Sequence, residues 1–292
     1  MRDFTKDHRW LSINTATIRK DKGADLPLDK IIEACVARGI KAISPWRDQV
    51  ATVGLDKISA LVKKHGLKLS GYCRGGMFTA ADAAGLKAAH EDNIRAVDEA
   101  CELNAACLVL VVGGLPGALA GQAAHKDIAL SRQQVKDGIA KLLDYARSKN
   151  MPLAIEPLHP MYAADRACVN TMEHALDLCD ELDPSKSGAL GVAVDVYHVW
   201  WDPKLEAQIK RAGKSRLLAF HVCDWMTPTT DLLNDRGMMG DGVIDIPKIR
   251  SWVETEGFSG YSEVEIFSTG NWWQRGHGEV LDTCIARHKA AV

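Results

Sequence analysis

The chain has 292 residues, 47% of them hydrophobic and 25% charged, a composition typical of a folded globular protein that excludes a largely disordered chain. Its formal net charge of −2 provides no overall positive field to attract a nucleic acid backbone. The charged N-terminal segment lacks the apolar stretch of a secretory signal. The sequence also contains no run of 18 apolar residues, the length that would indicate a membrane span.

Eight cysteines are scattered through apolar stretches, and none of them forms a Cys-x-x-Cys pair. A disulfide framework or a zinc knuckle would need a defined pattern of spacings, which is not found. We therefore expect buried, reduced thiols in a cytoplasmic protein.

Short apolar runs alternate with helical patterns in the first half of the chain. The helix predicted at 27–38 shows the helical pattern clearly, because apolar side chains from Leu28 to Val36 recur on one face. Pro27 suits its first turn, and Gly39 suits the position after its end. In chain order, the predicted elements are a strand in 10–18, the helix 27–38, a strand at 40–44, a helix from Leu55 that closes at Gly66, a strand at 68–73, a helix at about 82–103 and a strand at 107–112.

The second half repeats this alternation. The segment from Asn170 to Glu173 resembles a capping box that opens a helix, and Asp202-Pro203 resembles a second helix start. In chain order, the predicted elements are a helix lined by Val135 to Ala146, a strand at 153–156, a helix containing 175–179, a strand at 190–194, a strand at 217–222, a helix at 246–253, a strand at 261–266 and a closing helix at 277–290.

Eight strand-and-helix units with strands that are apolar on both faces predict a parallel sheet wrapped by helices. Eight units favour a closed (β/α)8 TIM barrel over an open doubly wound sheet, and no Gly-x-Gly-x-x-Gly motif follows the first strand. Because no linker or change in composition divides the chain, we expect a single α/β barrel domain spanning residues 1–292.

Functional groups of such a barrel lie at the carboxyl ends of its strands. Four consecutive predicted strands carry a polar residue there, in apolar surroundings: Glu156, Asp195, His221 and Glu265. Three carboxylates and an imidazole are costly to bury together unless they form ion pairs or share a cation. We predict that these four residues bind one divalent metal ion, with a network of salt bridges as the alternative. The oxygen-rich donor set favours Mn²⁺, with Mg²⁺, Co²⁺ or Zn²⁺ as alternatives.

This set of four residues resembles the metal site of the xylose-isomerase-like barrel superfamily, which includes sugar isomerases, ketose 3-epimerases, inosose isomerases and dehydratases, and endonuclease IV. The resemblance spans roughly residues 10–290. Asp195 and His198 form an Asp-x-x-His motif, and in the epimerases this Asp binds metal while the His contacts substrate oxygens. Arg236 begins a glycine-containing motif in which the Arg faces the substrate pocket. The segments that resemble the sugar isomerase and epimerase branch are AIEPLHP, VAVDVYHVWWDP, AFHVCDW, DRGMMGDGVIDIPKI and YSEVEIFS.

The resemblance implies a divalent-metal-dependent isomerase or epimerase of a small sugar, keto-sugar or cyclitol. In that mechanism the metal holds two adjacent oxygens of a hydroxy-ketone and stabilises an enediolate. One of the catalytic carboxylates, Glu156 or Glu265, removes the proton next to the carbonyl, and the other returns it. His198 and Arg236 would bind substrate oxygens and stabilise negative charge.

Aromatic residues give a second signal, because six of the eight tryptophans lie at or just beyond predicted strand ends. Such rings can pack against a sugar and exclude water, or they can pack in the core. We favour Trp46 and Trp225 for the substrate pocket, whereas Trp272 and Trp273 equally suit a subunit contact in a possible homo-oligomer. His159 is either an ordinary loop histidine or a substrate-binding acid or base.

Three other functions are compatible with parts of this pattern. A lyase or dehydratase acting on a keto-sugar or keto-cyclitol would use the same metal and the same first proton abstraction. An endonuclease IV-like DNA repair enzyme is disfavoured by the net charge and by four ligands that suit one metal better than three. A non-catalytic sugar-binding barrel is disfavoured by the complete set of acid and base residues. We therefore expect a small-molecule partner and neither a nucleic acid nor a membrane.

Overall fold

Eight parallel strands form the wall of a barrel in the computed structural model, which describes residues 1–292. They are β1 (Leu11–Asn14), β2 (Ala42–Ser44), β3 (Tyr72–Gly76), β4 (Leu108–Val111), β5 (Leu153–Ile155), β6 (Leu190–Asp195), β7 (Leu217–Val222) and β8 (Ser262–Val264). Strands β3 to β8 pair in succession, β8 pairs with β1, and β1 pairs with β2.

The barrel closes between β2 and β3 through a short ninth strand. Lys68–Leu69 pairs in parallel with β2, and Trp46 forms a single parallel bridge with Cys73 of β3. The Cys73 amide also donates to the Pro45 carbonyl at 3.0 Å. The predicted strand at 68–73 is therefore split into two pieces, and the predicted (β/α)8 TIM barrel is confirmed.

Helices surround the strands, and several of them begin at side-chain caps. Asp82, Asp127, Thr171 and Asp245 each accept a hydrogen bond from a backbone amide in the first turn, where helical partners are missing. The helices are α1 (Leu28–Ala37), α2 (Arg47–Val53), α3 (Leu55–His65), α4 (Ala83–Glu102), α5 (Ile128–Ser148), α6 (Met172–Leu182), α7 (Val196–Val199), α8 (Leu205–Arg216), α9 (Ile246–Thr255) and α10 (His277–Ala291). Short 3-10 helices cover Thr15–Ile18, Ala118–Ala120, Pro160–Tyr162 and Trp272–Gln274.

The main hydrophobic core lies between the strands and the surrounding helices, whereas the barrel interior changes character along its axis. Ala154, Ala193 and Ala219 belong to a small buried cluster inside the barrel, and each lies two residues before a predicted metal ligand. Side chains two apart on a strand point to the same face. Small residues therefore form the layer below the predicted ligands and leave room for polar groups at the mouth.

Three predicted boundaries are wrong for identifiable reasons. The strand predicted in 10–18 ends at Asn14, whose side chain accepts from the Ala16 amide and caps a 3-10 helix. Thr171 rather than Asn170 caps α6, because the Asn170 amide donates to two loop carbonyls. Asp202 does not cap α8, since its carboxylate accepts from the Lys204 amide and the helix begins only at Leu205.

The prediction of unpaired thiols is confirmed. All eight cysteines are free, and all except the partly exposed Cys101 are buried. Burial raises the pKa of the Cys35 thiol to about 12, which keeps it protonated. Among the helices, none combines the length and the apolar character that crossing a bilayer requires.

Candidate metal centre

The four predicted metal ligands meet at the carboxyl end of the barrel. Glu156 follows β5, Asp195 ends β6, His221 lies near the end of β7, and Glu265 follows β8. One ligand atom from each residue lies within 4.8 Å of those of the other three. Each residue is at most 5% exposed. The structure thus brings together four side chains that are up to 109 residues apart in the sequence.

His221 lies between two of the carboxylates. Its Nδ1 is 2.9 Å from Glu156 Oε1 and 3.7 Å from Glu265 Oε2. Burial opposes a charge on this ring, but Glu263, Glu156 and Glu265 together raise its pKa well above the usual value. The carboxylates therefore favour positive charge at this point of the cluster.

Arg236 approaches the cluster from the loop after β7. Its Nη1 donates to Asp195 Oδ2 at 3.1 Å and to Glu265 Oε2 at 3.3 Å. The guanidinium carbon lies 4.4 Å from the ring centre of Tyr197 and 5.2 Å from that of Phe267, so aromatic faces hold it on two sides. Arg236 is only 4% exposed, which is uncommon for an arginine and fits a role inside the site.

The two carboxylates that contact Arg236 have opposite pKa shifts. Burial raises the pKa of Glu265 to about 8, with Arg236 opposing the rise and Glu156 adding to it. Burial also opposes the charge on Asp195, yet Arg236, His198 and His221 together hold its pKa below the ordinary value. The site therefore holds one carboxylate that is stabilised as an anion beside another that takes up a proton more readily.

His198 lies in α7, one turn after Asp195. Its Nε2 is 3.6 Å from Asp195 Oδ2 and 3.2 Å from Arg236 Nη2, while its Nδ1 accepts from the His159 amide at 3.2 Å. Burial lowers the pKa of His198 to about 3, so the ring is neutral at physiological pH. The sequence prediction places His198 and Arg236 on the substrate, and the structure places both against the cluster.

Below the cluster lies a second layer of polar groups that the sequence reading did not assign. Glu263, 1% exposed, accepts from Asn14 Nδ2 at 2.8 Å and from Ser70 Oγ at 2.7 Å. Its Oε1 is 3.5 Å from Nε2 of His221. The available signal was the alternation of β8, because Glu263 precedes Glu265 by two residues and must share its face.

The aromatic residues divide into two groups. Trp46 donates from Nε1 to Asn14 Oδ1 at 2.7 Å, and its ring lies 5.5 Å from that of Phe267, with the two rings edge to face. Trp225 stacks at 4.9 Å on His159. These three predicted pocket residues, Trp46, Trp225 and His159, are all partly exposed at the mouth.

Of the four other tryptophans near strand ends, two are buried and two lie beside the mouth. Trp272 and Trp273 are only 5% and 8% exposed, and Trp273 donates to the Ala16 carbonyl at 2.9 Å. The suggested subunit contact for these two residues is therefore wrong, because they pack inside this chain. Trp200 and Trp201 lie beside the mouth, Trp200 near Trp225 and Trp201 near His159.

The donor atoms fit a divalent cation. Metal–ligand distances of about 2.0–2.3 Å place opposite ligands up to about 4.5 Å apart, close to the spacing found between these four atoms. Three carboxylates, Glu156, Asp195 and Glu265, surround the site, and only Arg236 among the arginines pairs with them, so the cluster can supply negative charge to a cation. The cluster is thus capable of binding such an ion.

The chain belongs to the xylose isomerase-like TIM barrel family, whose model matches residues 31–284. Among solved structures, the protein SMc04130 from Sinorhizobium meliloti 1021 is 55% identical, with a TM-score of 0.90 over 97% of this chain and 98% of that one. This confirms the resemblance that the sequence motifs indicated. No curated protein matches the sequence significantly.

Two more distant structures share the fold. The IOLI protein, solved with a binding zinc atom, is 20% identical, with a TM-score of 0.77 over 94% of each chain. A D-psicose 3-epimerase, solved in the presence of D-fructose, is 16% identical, with a TM-score of 0.70 over 96% of each chain. At these identities the likeness establishes the barrel architecture alone.

Proposed function

We propose that the protein is a divalent-metal-dependent isomerase or epimerase of a small sugar, keto-sugar or cyclitol. The observation that carries the proposal is the buried cluster of Glu156, Asp195, His221 and Glu265, whose ligand atoms lie within 4.8 Å of one another. Membership of the xylose isomerase-like TIM barrel family supports the proposal, and one protein that shares the fold is a sugar epimerase, D-psicose 3-epimerase.

The metal would be held by these same four residues. When bound, a divalent cation supplies Lewis-acid stabilisation of negative charge on substrate oxygens. Three carboxylate oxygens and one imidazole nitrogen suit Mn²⁺, and Mg²⁺, Co²⁺ and Zn²⁺ are further candidates. The zinc atom in the IOLI structure is a precedent for a metal on this fold.

Proton transfer would fall to Glu156 and Glu265, which approach the cluster from strands β5 and β8. One of these two residues, as a carboxylate base, would remove the proton from the carbon next to the carbonyl. The other, as a carboxylic acid, would return a proton to the resulting enediolate. Arg236 and neutral His198 would bind substrate oxygens as negative charge develops on them. Trp46 and Trp225 would close the pocket against water.

Turnover in D₂O tests this reaction class. Candidate keto-sugars and cyclitols are incubated with the Mn²⁺-loaded enzyme, and products are analysed by mass and NMR. We expect deuterium on the carbon next to the carbonyl and otherwise unchanged mass, provided that the abstracted proton exchanges with water. A product whose mass is lower than that of the substrate by one water would support the lyase alternative instead.

Two substitutions test the acid and base roles. Glu156→Gln and Glu265→Gln should each lower turnover by about 10²- to 10⁴-fold, because an amide cannot accept the proton. Metal content is measured in parallel, since both side chains are also predicted ligands. Glu173→Gln, at the surface of α6, is the matched control. Full activity in both site variants would refute the assignment.

A further inference from the structure

Arg74 is the only arginine in the chain whose side chain has neither a hydrogen bond nor an ion pair. It belongs to β3, next to Cys73, and it is partly buried. The other arginines at this part of the barrel mouth are neutralised: Arg19 pairs with Asp48 at 2.6 Å, and Arg47 pairs with Asp92 and Glu99, both at 2.8 Å. A partly buried guanidinium without an anion is costly, which favours an external partner.

A second arginine also lacks a close anionic partner. Arg166 belongs to the loop between β5 and α6, and after burial its positive charge is the next largest cause that lowers the pKa of Arg74. The Nε of Arg166 is buried without a hydrogen-bond partner, and its nearest carboxylate oxygen, on Asp165, is 3.8 Å away. Neither guanidinium group therefore has a close carboxylate partner.

Backbone contacts hold the loop of Arg166 against the strand next to β3. The Arg166 carbonyl accepts from the Gly113 amide at 3.0 Å, just after β4, which is the strand next to β3. A Cβ on Gly114 would lie 2.4 Å from the Ala164 carbonyl oxygen, so only glycine allows the two loops to pack this closely. The loop that carries Arg166 is thus held against the end of β4, the strand that pairs with β3.

A cavity of about 460 Å³ lies beside Arg74 at the mouth, and Trp46 and Cys73 form part of its wall. Asp48 and Asp92 also line it, but each is already paired with another arginine, and neither forms an ion pair with Arg74. Cys73 Sγ is 3.5 Å from Asn14 Nδ2, which donates to Glu263 directly below the metal cluster. The cavity wall is therefore connected, through Cys73 and Asn14, to the layer below the candidate metal centre.

We propose that Arg74 and Arg166 form a subsite for an oxyanion, a phosphate ester or a carboxylate, carried by the sugar substrate. The proposal rests on the proposed function for its sugar, and it narrows that function to anionic hydroxy-ketones. A guanidinium binds both kinds of oxyanion through paired N–H donors, which explains the use of arginine here. The reacting carbons would lie at the metal cluster while the anionic end reaches the cavity beside Trp46.

A substrate panel tests the proposal on the metal-loaded enzyme. It compares a neutral ketohexose, the same ketohexose 6-phosphate and the corresponding keto-acid, with solvent deuterium incorporation as the readout. We expect one of the two anionic compounds to exceed the neutral sugar in kcat/KM by at least tenfold, and the better one identifies the oxyanion. Arg74→Met should reduce that advantage by about ten- to a hundredfold and leave the rate with the neutral sugar unchanged.

Binding of inorganic phosphate and of malonate is measured separately by calorimetry, so that failure of the reaction and failure of the subsite can be told apart. Arg74→Met should weaken binding of the preferred anion at least fivefold, whereas Arg9→Met, which removes the same charge at the opposite end of the barrel, should not. Anion binding that depends on Arg74 would support the subsite even if no sugar were turned over. Equal binding by wild type and Arg74→Met, or no binding of either anion, would overturn it, as would turnover that is equal for neutral and anionic sugars. Melting temperatures establish that the variants are folded.

Discussion

Glu263 Oε1 lies 3.5 Å from Nε2 of His221, on the side of the imidazole ring opposite to the predicted metal ligands. A carboxylate behind a metal-binding histidine fixes the ring orientation and increases its basicity. Asn14 and Ser70 hold Glu263 in place through hydrogen bonds of 2.8 and 2.7 Å. Trp46 donates to the same Asn14, so one chain of contacts joins this predicted pocket residue to the candidate metal centre.

Glu263→Gln should therefore weaken metal binding about ten- to a hundredfold, without direct loss of a ligand. The neutral amide can still accept from Asn14 or Ser70, but it no longer provides the negative charge behind His221. Metal titration of the apoprotein measures the change, and melting in EDTA shows whether the fold itself is affected. A metal affinity equal to that of the wild type, with only the melting temperature lowered, would assign Glu263 a purely structural role.

Asp195→Ala should lower metal content and activity together. This carboxylate is fully buried, accepts from the Tyr197 amide at 2.8 Å and from Arg236, and is held as an anion. Its removal takes away one ligand and leaves Arg236 with less negative charge to balance. Asp202→Asn, a buried aspartate a few residues away that lies outside the cluster, is the control. Wild-type metal occupancy and activity in Asp195→Ala would exclude it as a ligand.

Arg236→Met, in contrast, should not weaken metal binding. Because Arg236 Nη1 contacts both Asp195 and Glu265, its loss makes the cluster more negative, so we expect divalent cations to bind as tightly as before or more tightly. We expect kcat/KM to fall by about ten- to a thousandfold through the loss of charged hydrogen bonds to substrate.

His198→Ala should likewise keep its metal while kcat/KM falls over the same range. The imidazole lies 3.6 Å from Asp195 Oδ2 and is neutral, so it contributes little charge to the cluster. Metal analysis of the purified variant together with steady-state kinetics separates the two roles. Loss of metal with the His198 side chain would make it a ligand and contradict its assignment to substrate.

The four cluster residues could be predicted because barrel strands are short apolar runs, and a polar residue at the end of such a run stands out. Their convergence follows from the parallel topology, which brings all carboxyl ends of strands to one rim. Glu263 carried the same signal and was missed only because it lies within the strand and not at its end. Arg74 carried none, since its significance comes from the absence of a partner, which only the folded structure reveals.

Helix α2 was not predicted, and the reason is tertiary. Its sequence, RDQVATV, is short and rich in β-branched residues, so it has little intrinsic tendency to form a helix. Arg47 at its start reaches Asp92 and Glu99 on α4, and Val50 is buried. Contacts with residues about 45 to 52 positions away thus stabilise a helix in a segment whose local sequence pattern predicts a loop.

The last prediction concerns stability in acid and a histidine outside the candidate metal centre. His288, in α10, is fully buried and stacks at 4.5 Å on Phe4, and neither ring nitrogen has a hydrogen-bond partner. Burial, with help from the positive charge of Arg250, lowers its pKa to about 3. The folded-state pKa of His288 therefore lies below its unfolded value of about 6.5. His288 does not lower the free energy of unfolding above about pH 6.5, but it lowers it progressively as the pH falls from about 6.5 towards 3.

At pH 5 the cost of keeping His288 neutral amounts to about 2 kcal/mol relative to pH 8. His288→Phe should remove this loss, because phenylalanine keeps the stack on Phe4 and has no proton to bind, and it should be neutral or stabilising at pH 8, where it replaces two unsatisfied polar atoms. Urea unfolding of wild type and variant at pH 8 and pH 5 measures both effects. His65→Phe, at the partly exposed end of α3, serves as the control and should leave the wild-type pH dependence in place. If His288→Phe lost as much stability as the wild type between pH 8 and pH 5, the acid sensitivity would have to come from other groups.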